Sequence, residues 1–359
     1  MASDLPLVAQ ALWTDNPCQN FVGSREAYRL AYERAKAMCT KSVIMTRDVS
    51  AFQIAQIHFN ICVGMIGACV QDKPALQPVL DQLMSFEAIG SIFITELGHG
   101  LDVKNIETTA TLLPDGCFDL HTPSENAAKA MPPAAPVIGM KRIGIVLAKL
   151  IVDEQDRGLK LFVVPISDRD KMYSGVTTWL LPVRPGTKPL DHAITAFNHV
   201  RLPPESVLSS LAKPKDAQLD LHHQLWRLSV GAIALSIGNL NCLQVGTYIA
   251  AVYSKRRMVQ QNSQMGRVPI ISFSTQYRPI LQSLAAGEVL RAMTDWCIDI
   301  FRNPSISLHL RRGIAIVYKA VVIHHFALLS ELSERCGWRG YYGHNQIAEM
   351  YLSFAANAD

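Results

Sequence analysis

The 359-residue sequence lacks paired cysteines: its eight cysteines stand singly, and no Cys-x-x-Cys spacing occurs. This spacing argues against a zinc site or a disulfide scaffold and predicts reduced, buried thiols in an intracellular protein. Charge is also scarce, with 18% charged residues and a formal net charge of +4, too small to indicate a nucleic-acid partner. The hydrophobic fraction of 49% excludes a disordered chain and is typical of a globular protein.

Targeting signals are missing from the expected places. The first 20 residues have no basic start followed by an apolar core, so we expect no secretory signal. The last three residues, Asn357-Ala358-Asp359, are not a peroxisomal address. The N-terminal type of that address is narrowly missed by Arg29-Leu30 with Lys36-Ala37, because a lysine stands where a histidine or glutamine is needed.

One uncharged segment, 228–253, is long enough to span a bilayer. Asn239, Asn241 and Gln244 lie in its middle, and glycines interrupt it. These polar side chains favour a buried helix in a large helical core over a membrane span.

Hydrophobic spacing divides the chain into three parts. Residues 1–90 are predicted to be helical, with Ser50 capping a helix that starts at Ala51, and His58 as a satisfied core histidine. Residues 91–207 alternate in short strands separated by turns, which predicts a compact β-barrel-like middle domain. Residues 218–359 are predicted to be helical again, with helices over 225–253, 285–302 and 313–336.

The stretch from Phe93 to Thr111 organises the chain. A short apolar run predicts a buried strand, and Gly98 and Gly100 follow it in a loop. Glycines after a strand free backbone N–H groups to meet a flat or anionic ligand. A tight turn between two strands is the alternative interpretation, because short glycine patterns are weak signals.

The order Thr-Glu-Leu-Gly-His-Gly at 95–100, followed by Glu-Thr-Thr-Ala at 107–110, resembles the flavin-binding segment of the acyl-CoA oxidase branch of the acyl-CoA dehydrogenase superfamily. Segments 118–123, 158–166 and 198–203 resemble the strands that follow it in the family. The resemblance implies an α+β fold of the acyl-CoA dehydrogenase type. Its expected parts are an N-terminal helical domain, a middle β-barrel domain and a C-terminal helical bundle, with both helical parts shortened.

The resemblance also implies FAD, bound non-covalently. The corresponding cofactor-binding positions are Thr95, Gly98, Gly100, Gly139, Arg257 and Gln276. Arg257 would meet the flavin pyrophosphate across a dimer interface, a contact for which the planar fork of arginine is suited. The chain departs from the family at 129–133, where Lys-Ala-Met-Pro-Pro replaces the Lys-Trp-Trp-Pro-Gly-Gly of many oxidases.

No catalytic base can be named from the sequence. The loop Gly337-Trp338-Arg339-Gly340-Tyr341 resembles a family loop, and the family glutamate would fall about two positions beyond Asp359. His222 and His223 are weak stand-ins, and Glu349 and Asp359 are carboxylates nearby in sequence.

The activity that the resemblance implies is α,β-dehydrogenation of an acyl-CoA thioester by a homo-oligomer, a dimer or tetramer. The chain is similar to shortened relatives in fungal secondary-metabolite (toxin) clusters, which implies a tailoring step. Family members are peroxisomal, and a cytoplasmic location is the alternative. Two other functions stay open: a non-catalytic flavin- or acyl-binding relative that lost its base, and a flavin oxygenase on the same fold.

Overall fold

The structure is a computed structural model that describes residues 46–184, 188–262 and 266–355, and it divides into two compact units. The first, here called the β unit, contains described residues 53–184 and 189–227. The second, the helical unit, contains described residues 46–52, 188, 228–262 and 266–355. The predicted three-domain boundaries stay a prediction.

Helices come first in the described chain, as the sequence predicts. They are α1 (Val49–Ala55), a π-helical stretch (Gln56–Val63), α2 (Gly64–Cys69) and α3 (Gln77–Met84). The first three run on without a break, which confirms the long helix predicted to begin near residue 51.

The cap predicted for this helix is wrong. Ser50 lies inside α1, where its hydroxyl donates to the Lys188 carbonyl at 2.8 Å. Asp48 takes the capping position instead, because its carboxylate accepts the Ala51 N–H at 3.0 Å. Aspartate and serine are equally good caps, so the sequence alone could not choose between two such residues two positions apart.

His58 is a satisfied core histidine, which confirms the prediction. Its side chain is fully buried, Nδ1 accepts the Gly90 N–H at 3.0 Å, and Nε2 lies 3.0 Å from the Leu83 carbonyl. Since Nδ1 accepts, the proton belongs on Nε2, which donates to Leu83. The ring therefore joins the first helices to α3 and β1 (Ala88–Phe93) in its neutral form.

The described part of the β unit contains nine strands. After β1 they are β2 (Thr109–Leu112), β3 (Phe118–His121), β4 (Lys129–Pro133), β5 (Lys141–Val152), β6 (Gln155–Ser167), β7 (Val176–Leu180), β8 (His192–Phe197) and β9 (Val200–Leu202). Helix α4 (Ala217–Gln224) follows the last of these strands in the sequence.

The strands form a six-stranded sheet and a three-stranded sheet. In the larger one, β5 pairs antiparallel with β6 and parallel with β1 and β2, and β3 and β9 extend it. The smaller one has the order β4-β8-β7. Phe93 packs edge-on against Phe197, with ring centroids 6.2 Å apart, and such aromatic pairs anchor the apolar core between strands.

The long segment of the helical unit begins within α5 (Trp226–Arg256), and four helices follow α5. They are α6 (Ser274–Arg302), α7 (Leu308–Phe326), α8 (Leu328–Arg335) and α9 (Ile347–Ala355), counted over its described residues. A hairpin of β10 (Met258–Asn262) and β11 (Gly266–Pro269) interrupts the region predicted to be wholly helical. Helices before and after the curled sheet confirm the predicted α+β class.

Within the residues that the structure describes, three helical stretches are long and apolar enough to cross a membrane, by length and composition alone. They are Val49–Cys69, Trp226–Arg256 and Leu308–Arg335. Within α5, Asn239 and Ser254 are buried among the apolar residues, as in a packed bundle helix. The expectation that 228–253 is a core helix and not a membrane span stays a prediction.

Candidate functional site

The glycine loop, residues 95–100, follows β1 and is hydrogen-bonded to the segment that leads into β4. The Leu97 N–H donates to the Ala128 carbonyl at 3.0 Å, and the Gly98 N–H donates to the Asn126 carbonyl at 2.8 Å. In the opposite direction, the Ala130 N–H donates to the Thr95 carbonyl at 2.9 Å. The predicted loop is therefore fixed along its first half by backbone hydrogen bonds.

A buried carboxylate holds the same loop from within. Glu96, 1% exposed, accepts hydrogen bonds from the Glu107 N–H (2.7 Å), the Thr108 N–H (3.0 Å) and the Thr108 hydroxyl (2.6 Å). Its fourth partner is the Lys129 ammonium, at 2.9 Å. The ammonium also donates to the Ile94 carbonyl at 3.2 Å, so one ion pair connects the end of β1, the start of β2 and the start of β4.

Both members of this pair are withdrawn from water, with side-chain exposures of 0%. Burial lowers the pKa of Lys129 to about 8, although the negative charge of Glu96 acts in the opposite direction. Removing one partner of a buried ion pair typically costs about 3–5 kcal/mol, because the other charge is left uncompensated.

A second, more exposed set of contacts surrounds the first. His99 Nε2 donates to Glu107 Oε1 at 2.9 Å and lies 3.8 Å from Glu96 Oε2. The Ser124 hydroxyl donates to the other Glu107 oxygen at 2.9 Å. The His99 hydrogen bond, followed by that of Ser124, holds the pKa of Glu107 below its usual range. His99 thus lies between the two glutamates of the motif.

The glycines of the predicted site have different requirements. A Cβ on Gly98 would lie 2.6 Å from the Asn126 Cβ, so this position needs glycine for close approach. Gly100 and Gly139 have φ values of +51° and +70°, in the left-handed region, and no atom lies within 4 Å of their Cβ positions. Thr95, Gly98 and Gly100 share the loop, whereas Gly139 lies between β4 and β5.

A second candidate region lies in the helical unit. A cavity of about 600 Å³ is lined by four arginines and a histidine, among other residues: Arg256, Arg257, Arg267, Arg339 and His344. No carboxylate is among its described lining residues. We call it the arginine pocket. Its surplus of positive charge suits an anionic ligand, and each guanidinium can offer two parallel N–H groups to a phosphate.

Backbone contacts fix Arg257 at the rim of this pocket. The Arg257 N–H donates to the Tyr253 carbonyl at 2.8 Å, just after the last residue of α5. The Arg257 carbonyl accepts the Ile270 N–H at 2.9 Å. The cations at the end of α5 also lie where the helix dipole favours positive charge.

Arg339 reaches the pocket from a tight turn, Gly337–Tyr341. The Ser333 hydroxyl donates to the Gly340 carbonyl at 2.8 Å, and the guanidinium of Arg339 lies 5.5 Å from the Trp338 ring centroid. A Cβ on Gly340 would lie 1.9 Å from the Ser333 carbonyl oxygen, so only glycine fits.

Gln276, the other predicted cofactor residue of this unit, is not among the residues lining the arginine pocket. Its side-chain amide donates to the Ser254 hydroxyl at 2.9 Å and to the Arg335 carbonyl at 2.5 Å. These contacts tie α6 to α5 and α8. Its role at a cofactor stays a prediction.

The candidate bases lie in several places. His222, partly buried, and His223, exposed, lie in the last turn of α4 in the β unit. Glu349 lies in α9 of the helical unit and pairs with Lys188 at 3.3 Å. Asp359 lies outside the described residues. The structure assigns the catalytic role to none of these residues.

Sequence reasoning missed two features of these regions. Lys129 was noticed only as part of a departure from the family pattern, and its partner Glu96 lies 33 positions away. Arg267 and Arg339 carried no signal of their own, although Arg339 stands inside a glycine-flanked motif that resembles a family loop.

No protein-family model matches the sequence. Among curated proteins, the chain is 28% identical over 346 residues to a probable acyl-coenzyme A oxidase, acox-1.5, of Caenorhabditis elegans, covering 86% of this chain and 50% of that relative. It is 30% identical over 213 residues to an acyl-coenzyme A oxidase-like protein of Mus musculus, covering 55% and 33%. The chain thus spans half or less of the length of these relatives.

Solved structures show the same likeness. Acyl-CoA oxidase 1 from Yarrowia lipolytica matches with a TM-score of 0.77 at 21% identity, over 94% of this chain and 56% of that chain. Acyl-CoA oxidase-1 of C. elegans, complexed with FAD and ATP, matches with a TM-score of 0.74 at 20% identity, over 96% and 55%. The resemblance to acyl-CoA oxidases and the fold class stated from the sequence are confirmed, whereas the similarity to relatives in fungal toxin clusters stays a prediction.

Proposed function

We propose, from the relationship of this chain to acyl-CoA oxidases in sequence and fold, that it binds FAD and dehydrogenates an acyl-CoA thioester between its α and β carbons. The observation that carries the proposal is the glycine loop. The motif that resembles the family's flavin-binding segment is folded into a fixed loop, with open space beside the left-handed Gly100.

The described residues fit this cofactor in two respects. The glycines at 100 and 139 leave room for a flat ring, since a side chain at either position would project into open space. The arginine pocket suits a diphosphate, because it is lined by four guanidinium groups and its volume of about 600 Å³ lies within the usual range for ligand sites. As the resemblance implies, Arg257, with Arg339 in the same pocket, would hold the phosphates of a bound FAD by paired hydrogen bonds across a dimer interface.

When bound, FAD would supply the acceptor for the hydride that leaves the β carbon. The chain's own task would be to remove the α proton and stabilise the enolate oxygen, and a positioned base contributes about 10²–10⁴-fold to such a step. His222 and His223 stay candidates for this base. Glu349 is a weaker candidate, because its carboxylate is paired with Lys188.

This ion pair of Glu349 with Lys188 favours one second candidate function, a relative that binds flavin or acyl-CoA without catalysis.

The finer parts of the main proposal rest on resemblance: a tailoring step in fungal secondary metabolism, a dimeric or tetrameric assembly, and a peroxisomal location. Relatives from Arabidopsis thaliana and Oryctolagus cuniculus are named peroxisomal acyl-coenzyme A oxidases, which supports the location.

The visible spectrum of the purified protein tests the proposed function. We expect a flavin absorption band that bleaches when a mixed panel of acyl-CoA thioesters is added without oxygen. Oxygen uptake on re-aeration, with formation of hydrogen peroxide, would identify the oxidase. A stable band that no thioester bleaches would favour the non-catalytic relative, and a protein that binds no flavin would contradict the proposal.

Replacement of Arg257 by glutamine is expected to weaken FAD binding by about 10–100-fold. A charge-assisted hydrogen bond contributes about 1.5–3 kcal/mol, and tenfold in affinity corresponds to 1.4 kcal/mol. The measurement is titration of apoprotein with FAD, followed by flavin fluorescence. Arg302→Gln is the control, since Arg302 is an exposed arginine at the end of α6 and is not among the pocket's lining residues. Equal affinities of the two variants would remove Arg257 from the site.

A further inference from the structure

The ion pair between Glu96 and Lys129 occupies an unusual place in the β unit. Three separate pieces of chain meet at one carboxylate: the loop after β1, the Glu107–Thr108 backbone before β2, and the lysine that begins β4. The loop's own hydrogen bonds to 126–130 run beside this pair. The glycine loop is thus held by its backbone hydrogen bonds and by one buried charge with its partner.

We propose that Glu96 and Lys129 are positioning residues, which hold the Gly98–Gly100 loop in the conformation that binds its ligand. The ligand's identity, FAD, rests on the proposed function above. The positioning role itself concerns the loop and can be measured without any ligand.

The physical argument starts from the energetics of buried charge. A buried ion pair is often no more stabilising than apolar side chains of the same volume, because both ions lose their hydration. Its geometric demands are strict, however, since each oxygen of the carboxylate has to meet its donors. Glu96 meets four donors within 3.0 Å: three belong to Glu107 and Thr108, and the fourth is the Lys129 ammonium. The pair specifies geometry more than it adds stability.

The surroundings make Lys129 the sensitive member of the pair. The charged groups that face it are Glu96 directly and, beyond that carboxylate, His99 and Glu107. Burial lowers the pKa of Lys129 to about 8, against 10.5 in an unfolded chain. Lys129 therefore loses its proton at a lower pH in the folded protein than an exposed lysine does.

As pH rises through 8, the ammonium that fixes the loop is lost, and Glu96 keeps only its donors from Glu107 and Thr108. A loss of FAD affinity in this pH range that Lys129→Met abolishes is what a positioning role predicts. A residue that only stabilised the fold would change the melting temperature and leave the FAD affinity of the folded protein unchanged.

The test uses Lys129→Met and a matched control, Lys160→Met. Lys160 is also a buried lysine of the β unit, 2% exposed, and pairs with Asp220 at 2.9 Å away from the glycine loop. Three quantities are measured in the wild type and in both variants: hydrogen exchange of peptides covering 95–108, the melting temperature and the FAD dissociation constant. We expect at least tenfold faster exchange and at least tenfold weaker FAD binding in Lys129→Met, and neither change in Lys160→Met.

A pH series on the unaltered protein provides the second measurement and needs no variant that might unfold. The FAD dissociation constant is expected to rise above pH 8 in the wild type and in Lys160→Met, and to be flat in Lys129→Met. A folded Lys129→Met with loop exchange and FAD affinity within twofold of wild type would overturn the proposal, as would a flat wild-type profile. Failure of the proposed function has a different signature: the wild type binds no FAD, and loop exchange still decides the positioning role.

Discussion

Gly340→Ala is expected to destabilise the helical unit by about 3 kcal/mol or more and to disturb the arginine pocket. The new Cβ would lie 1.9 Å from the Ser333 carbonyl oxygen and 2.8 Å from its carbon. Both are backbone atoms near the end of α8, so no side-chain rotation relieves the clash. Overpacking that moves the backbone typically costs about 1–3 kcal/mol and occasionally more, and this overlap is among the most severe. The turn that must move carries Arg339 into the pocket.

The measurement is urea unfolding at pH 7, combined with FAD titration of the folded variant. Gly343→Ala is the matched control, because no atom lies within 4 Å of its Cβ position only three residues further on. We expect Gly343→Ala to stay within about 0.5 kcal/mol of wild type, as most surface substitutions do. Similar unfolding curves for both variants would show that the turn 337–341 adapts, and that Gly340 is not required by packing.

The sequence was informative about the glycine loop because its signals are local. An apolar run, two glycines and a threonine-rich strand start lie within 20 residues, and a short-range pattern of this kind predicts a strand, a loop and a second strand. The structure has all three in that order. The partner of Glu96, in contrast, is one lysine among the chain's 34 basic residues, and pairing over 33 positions leaves no local pattern.

Helix α6 shows how a distant residue can override a local signal. The sequence predicts its start near Ala285, whereas it begins at Ser274 and contains Pro279. Proline has no N–H to donate to the carbonyl four residues earlier, here that of Thr275. The guanidinium of Arg335 donates to that carbonyl at 3.1 Å and replaces the missing donor. A residue 60 positions away thus supplies the donor that the proline lacks, and the helix begins at Ser274, before the proline. A short window of sequence around Pro279 does not contain Arg335 and so could not predict this start.

Acidification between pH 6.5 and 4 is expected to remove about 3 kcal/mol of folding stability through His58. Burial lowers the pKa of His58 to about 4 from 6.5. Between these values the unfolded chain binds a proton that the folded protein excludes, so stability is complete above pH 6.5 and falls as pH decreases. One excluded proton corresponds to about 1.4 kcal/mol per pH unit. The geometry acts in the same direction as burial, because Nδ1 accepts the Gly90 N–H and cannot be protonated without losing that bond.

His58→Gln isolates this effect, since glutamine keeps one donor and one acceptor but does not titrate in this range. The free energy of unfolding of both proteins is measured in urea at pH 7, 6, 5 and 4.5. The carboxylates that both proteins share contribute equally, so their effect drops out of the difference between the two free energies. The wild type is expected to lose stability faster than the variant as the pH falls. His192 is only partly buried, and its pKa is also lowered to about 4, by burial and then by the charge of Arg184, so a smaller slope should persist in His58→Gln. Parallel curves would mean that the protonated His58 finds another acceptor in the folded protein. The Gly90 contact would then not set the acid limit of the β unit.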